Sequence, residues 1–172
     1  MQAMKETPQE YTQRILGNLN GKDPLKTQAS TAKKLEKLVN RATAAKLRKR
    51  PAPGKWSVGE ILAHLADTEI VVGWRIRSIL AAPGTPIQPF DQDAWAAAGN
   101  YAKRDPRKSI DQFRAVRDAN LALYKSLTPE QWKHYGMHAE RGEESLERIL
   151  SMMAGHDLNH LSQIERILAP VK

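Results

Sequence analysis

Residues 57–84 read SVGEILAHLADTEIVVGWRIRSILAAPG. Ser57 with Glu60 three residues on forms a capping box, and Pro83-Gly84 is a stop signal. The segment therefore predicts one long helix from Ser57 to about Ala82. Apolar residues occupy most of its faces, the pattern of a helix buried on nearly every side. His64 stands between Ile61, Leu65 and Thr68, at an inward position.

Further helices flank this one. Thr7-Pro8-Gln9-Glu10 is a second capping box, followed by Tyr11, Ile15 and Leu19 at helical spacing and by the stop Asn20-Gly21. A helix from Thr27 or Thr31 to Lys49 is expected, with Leu35, Leu38, Ala42 and Ala45 as its apolar stripe, before Pro51-Ala52-Pro53-Gly54 breaks the chain. Residues 83–108 are rich in Pro, Gly and Asp, with a helical turn expected near Asp93–Ala98. A connection of that length is uncommon without a functional use. Asp105-Pro106 opens a helix to about Ser126, packed through Ile110, Phe113, Val116, Leu121 and Tyr124. Thr128-Pro129-Glu130-Gln131 starts a short turn carrying Trp132, and the last long helix runs from about Glu144 to Leu168. No run shows strand alternation. The fold expected is all-α, a four-helix bundle over residues 28–172 with an extra N-terminal helical arm over residues 1–27.

Composition narrows the functional classes. The 172 residues suit one domain, and 41% are hydrophobic. There is no cysteine. Disulfides, zinc–thiolate sites and a cysteine nucleophile are thereby excluded, and a cytoplasmic location is the expectation. No apolar run suggests a signal peptide or a transmembrane helix, so no membrane partner is expected. The net charge of +8 is concentrated between Lys33 and Arg50, where Glu36 is the one acid. That segment lacks interleaved aromatics and any DNA-binding motif, so a solvated helix face is favoured over nucleic-acid binding. The charge could still draw an anionic substrate.

Five histidines remain: His64, His134, His138, His156 and His160. His156 and His160 are one helical turn apart and can converge on one ion. They fall on the stripe Ile149, Met153, His156, His160, Ile164 and Ile167, which should face the bundle interior. Buried imidazoles need partners for both ring nitrogens. One divalent metal ion would satisfy a nitrogen of each of His64, His156 and His160, with Glu60, Asp67 and Asp157 as candidate acceptors for the remaining N–H groups. Three such ligands leave coordination open, unless Asp157 or Glu60 closes it.

In the long connection, Asp93 is a candidate general base and Trp95 a candidate pocket wall for a small-molecule substrate. Alternatively, Asp91 and Asp93 form turns and Trp95 plugs the bundle end. Trp56 is either a hydrophobic staple or a further pocket wall. His134 is expected at the surface, and so is His138, with a role as acid or base near the metal as its alternative.

The segments GKWSVGEILAHLAD (54–67), the loop from Gly84 to Trp95 with PFDQDAW (89–95), and AGHDLNHLSQI (154–164) together resemble the DinB-like (YfiT-like) superfamily of metal-dependent enzymes. The resemblance covers about residues 28–169. It implies a bundle of up-down-down-up order, often a homodimer. It also implies one metal held by a histidine of the second bundle helix and two of the fourth, positions that match His64, His156 and His160. Zinc or nickel is the expected metal, with iron and manganese also among family metals. Related proteins include S-transferases that use a low-molecular-weight thiol. The expected function is thus a metal-dependent enzyme activating water or an external thiol, a hydrolase or thiol S-transferase. The alternative is a non-catalytic metal-binding stress-response protein.

Overall fold

The computed structural model describes residues 6–170. The chain forms α1 (Pro8–Gly17), α2 (Pro24–Asn40), α3 (Ala44–Arg48), α4 (Val58–Ala81), β1 (Pro86–Ile87), α5 (Gln92–Ala98), α6 (Pro106–Lys125), α7 (Pro129–Trp132), β2 (Tyr135–His138), β3 (Gly142–Ser145) and α8 (Leu146–Leu168). Four long helices, α2, α4, α6 and α8, make the bundle. The capping boxes at Thr7 and Ser57 both form, with the Glu10 and Glu60 carboxylates accepting the cap backbone N–H.

Contacts between helices fix their directions. Pro106 lies against Gly59, while Arg117 and Asn120 reach Glu69 and Gly73, so α4 and α6 run parallel. Arg114 pairs with Glu36 and Arg117 donates to the Gln28 carbonyl, so α2 opposes α6. Ile61 and Leu65 pack with Leu161 and Ile164, and Val72 and Ile76 with Ile149 and Leu150, so α8 opposes α4. The order is up-down-down-up. A parallel α4–α6 pair obliges the chain to travel back along a helix of ~36 Å. Residues 82–105 do this, which explains the length of that connection.

The interior is aliphatic with one charged centre. Arg117 on α6 is 1% exposed. It donates to both carboxylate oxygens of Asp157 on α8 at 2.6 and 3.1 Å, to Glu69 on α4 at 2.8 Å and to the Gln28 carbonyl on α2 at 3.1 Å. Burial works against its charge, but the Asp157 and Glu69 carboxylates outweigh that and hold its pKa above the ordinary arginine value. One guanidinium thereby ties all four bundle helices.

Three expectations are corrected. First, strands exist: β1 pairs parallel with β2, and β2 antiparallel with β3, closing the bundle end where α4 finishes and α8 starts. Strands this short, two to four residues, are too brief for alternation to register. For the same reason α8 begins at Leu146, since residues 142–145 belong to β3. Second, the predicted helix to Lys49 ends at Asn40. Thr43 caps α3 by accepting the Lys46 N–H, and the change of axis buries Leu47 while Ala45 is exposed. Third, the proposed arm boundary at residues 27/28 falls inside α2, which starts at Pro24. The helix α1 packs on α8 so closely that a Cβ at Gly155 would lie 2.1 Å from the Ile15 carbonyl oxygen.

Replacing Arg117 by methionine leaves two buried carboxylates unpaired. A loss of about 3–5 kcal/mol of unfolding free energy is expected in urea titration.

Candidate metal centre

His64 projects from α4 because the Ser57 box sets the helix phase, and it falls one turn after Glu60. His156 and His160 project together from α8. All three are buried, at 2%, 6% and 8% exposure. The Nε2 atom of His156 lies 3.1 Å from Nε2 of His64 and 3.1 Å from Nε2 of His160. Among the described residues, this is the group of histidine and carboxylate ligand atoms that could hold an ion.

The protonation states follow from burial. Desolvation, with the charge of His160 adding to it, lowers the His64 pKa to about 3. Desolvation lowers His160 to about 4, against the hydrogen bond to Gln163, and drives His156 well below the ordinary value. The rings are therefore neutral at pH 7, each with one N–H and one lone pair. His160 Nδ1 donates to Gln163 Oε1 at 3.0 Å, which leaves the lone pair on its Nε2 pointing into the trio. His156 Nε2 carries either a hydrogen or a lone pair. If it carries a hydrogen, it can serve only one of its two neighbours. If it carries a lone pair, it confronts that of His160. The trio cannot be satisfied by internal hydrogen bonds, whereas a cation accepts all three lone pairs. Metal–nitrogen bonds of ~2.0–2.1 Å at tetrahedral angles separate the nitrogens by ~3.4 Å, close to the separations here. The residues fit a divalent ion.

The outer partners differ from those expected. Glu60 accepts from the Ser57 N–H and is held by Arg50. Asp67 accepts from the Tyr101 hydroxyl at 2.9 Å and Arg104 at 2.7 Å. Asp157 is taken by Arg117. None of these three carboxylates bonds a histidine ring: adjacent residues on a helix diverge by ~100°, so Asp157 turns away from the direction of His156. The neighbours that do approach are Gln163 for His160 and Thr68, whose hydroxyl is 3.5 Å from His64 Nδ1. His156 Nδ1 is buried without a hydrogen-bond partner among the described residues.

Trp56 stands at the trio, its ring 5.1 Å from that of His64 and edge-on to Tyr101. Trp95 does not reach it: its ring lies 5.0 Å from Phe90, and it is exposed rather than plugging the bundle end. Asp93 is exposed in the first turn of α5, which Asp91 caps, and it is not on the cavity wall. His138, expected at the surface, is buried in β2, the middle strand of the small sheet, where it is flanked by Ile87 of β1 and Gly142 of β3.

A cavity of about 540 Å³ begins at His64 and His156. Val72, Ile149, Met152 and Met153 give it apolar walls, and Arg75, His138, Arg141 and Glu144 form its far end. Thr7, Pro8 and Tyr11 of the first helix region complete it. The part of α1 in this wall was not legible from sequence, where Tyr11 reads only as one of the helically spaced residues Tyr11, Ile15 and Leu19.

With folded pKa values below the ordinary 6.5, the buried histidines resist protons that the unfolded chain takes up, so metal-free protein loses stability as pH falls below 6.5 toward 4 and 3. Urea midpoints of chelator-treated protein should fall from pH 6.5 to 4.5, with a shallower slope in His160→Gln.

Known proteins similar to this chain carry names that state metal dependence. The chain is similar to the "Putative metal-dependent hydrolase YfiT" of Bacillus subtilis (strain 168), with 27% identity over 78% of this chain and 76% of that one. It is 25% identical to a "Putative metal-dependent hydrolase" of Oceanobacillus iheyensis over 84% and 83% of the two chains. The solved structure of YfiT from Bacillus subtilis, described as having "an unusual four-helix bundle topology", superposes with a TM-score of 0.74 at 22% identity. That superposition covers 96% of this chain and 91% of that one, and it supports the fold. The family model of the DinB superfamily matches residues 29–164, including all three histidines, and this chain belongs to that superfamily.

Proposed function

We propose that this chain is a metal-dependent enzyme of hydrolase type, with His64, His156 and His160 as the ligands of one divalent ion, zinc or nickel. The observation that carries this is the convergence of three neutral Nε2 atoms at one wall of a cavity large enough for a small-molecule substrate. An all-imidazole set suits zinc, nickel or iron, and three protein ligands are typical of catalytic rather than structural zinc sites. A divalent ion there supplies Lewis acidity, lowering the pKa of a water or thiol that reaches it.

The chain's own residues do the rest. Gln163 fixes the orientation and tautomer of His160, so that Nε2 is available. Trp56 packs beside His64 and shields it from solvent. Met152, one helical turn before His156, gives the cavity an apolar wall near the trio, which strengthens electrostatic effects there.

One observation favours an external thiol as an alternative nucleophile. The chain has no cysteine, and the nearby carboxylates Glu60, Asp67 and Asp157 are all engaged by cations. Among the described residues, the side chains bonded to the trio are Thr68 and Gln163, neither of which is a general base. A thiol, with a pKa of ~8.5 against ~15.7 for water, needs less help to ionise.

Purified protein should contain about one equivalent of metal by elemental analysis. Ester hydrolysis, or transfer of a low-molecular-weight thiol to an aryl halide, should fall by at least ~100-fold in His64→Ala or after chelation. A rate unchanged by metal removal, with only a drop in melting temperature, would assign the ion a structural role and overturn the enzymatic reading.

A further inference from the structure

The far end of the cavity carries a charge that the metal site does not use. Arg75 follows His64, Thr68 and Val72 on the cavity-facing side of α4. Eleven residues of helix separate it from His64 by ~16 Å along the axis. Arg75 is 8% exposed, and it donates to the Gln88 carbonyl. Among the described residues, no carboxylate forms an ion pair with it.

Its neighbours do not cancel that charge. Arg141 and Glu144 satisfy each other through two hydrogen bonds of 2.7 and 2.9 Å. The other acids on the wall, Glu6 and Glu140, are exposed, and Glu6 is paired with Arg14. Water screens them in a way it cannot screen Arg75. Burial, and then the charge of Arg141, pull the Arg75 pKa down to about 10, which leaves it cationic at pH 7.

His138 adds a directed donor. Its Nδ1 accepts the Glu140 backbone N–H at 3.2 Å, so in the neutral ring the hydrogen sits on Nε2. Burial lowers its pKa and keeps it neutral. That Nε2–H is buried and has no hydrogen-bond partner among the described residues. A buried guanidinium without a counter-ion and a buried unpaired N–H are each unfavourable alone. An oxyanion relieves both, and the guanidinium fork matches its geometry.

We propose that Arg75 and His138 form a receptor for the oxyanion group, carboxylate or phosphate, of an elongated small molecule whose other end reaches the three histidines. Naming that molecule a substrate rests on the metal-dependent reading above; the anion site itself does not. The receptor would set specificity by length, accepting ligands whose anionic group and reacting group are about a cavity apart.

The test is a titration of chelator-treated full-length protein with inorganic phosphate in one arm and acetate in the other, followed by 15N NMR of arginine Nε–H and histidine ring signals. Saturable shifts of Arg75 and His138 in either arm are expected, and the arm that binds tells phosphate from carboxylate. Arg75→Met should weaken binding at least tenfold, and Arg75→Lys should weaken it less. His64→Ala should bind the anion as wild type does, so loss of the metal site and loss of the anion site are separable results. Shifts confined to the surface segment Lys33–Arg50, or wild-type affinity in Arg75→Met, would overturn the proposal. Should Arg75→Met prove unfolded by circular dichroism, the wild-type titration and Arg75→Lys still decide.

Discussion

Three neutral imidazoles meet nitrogen to nitrogen in an aliphatic interior, and the rest of the molecule is arranged around that meeting. Each ring alone could be housed by ordinary hydrogen bonds. Together, with His156 Nε2 shared between two neighbours at 3.1 Å, no placement of one hydrogen on each ring satisfies all three nitrogens. A protein that buries such a group without a cation would carry an unfavourable contact at the centre of its core. The metal is thus implied by the chemistry of the donors before any relative is considered.

The bundle keeps those donors in place by means separate from the ligands. Arg117 draws Asp157 of α8 and Glu69 of α4 to one point, and so fixes the two histidine-bearing helices against each other next to the trio. A hydrogen-bonded charged centre of this kind has a defined geometry, which apolar packing alone supplies less sharply. The parallel α4–α6 pair forces a long connection. That connection, with the small sheet and α1, builds the cavity over one side of the histidines. Topology and site are therefore linked: an up-down-up-down bundle would need no long return and would have no such cover.

Much of this was legible in the sequence. The boxes at Thr7 and Ser57 gave helix starts to the residue, and helical spacing placed His156 with His160 on the buried stripe. Resemblance supplied the partner helix for His64. What was not legible has physical causes. The break at residues 41–43 hides in a stretch of good helix formers, where one threonine cap decides. Strands of two to four residues carry no period. His138 read as a surface residue, and Arg117, Glu69 and Arg75 were not singled out, because their burial depends on partners distant in the chain. The outer acceptors were misassigned to Glu60, Asp67 and Asp157, since proximity along a helix does not give the direction of a side chain.

The most direct measurement of the central claim is X-ray absorption at the edge of the bound metal in purified protein. Three imidazole nitrogens at ~2.0–2.1 Å, with their characteristic outer-ring scattering, are the expected result. A spectrum lacking imidazole scattering, or showing only oxygen neighbours, would contradict a site built from His64, His156 and His160.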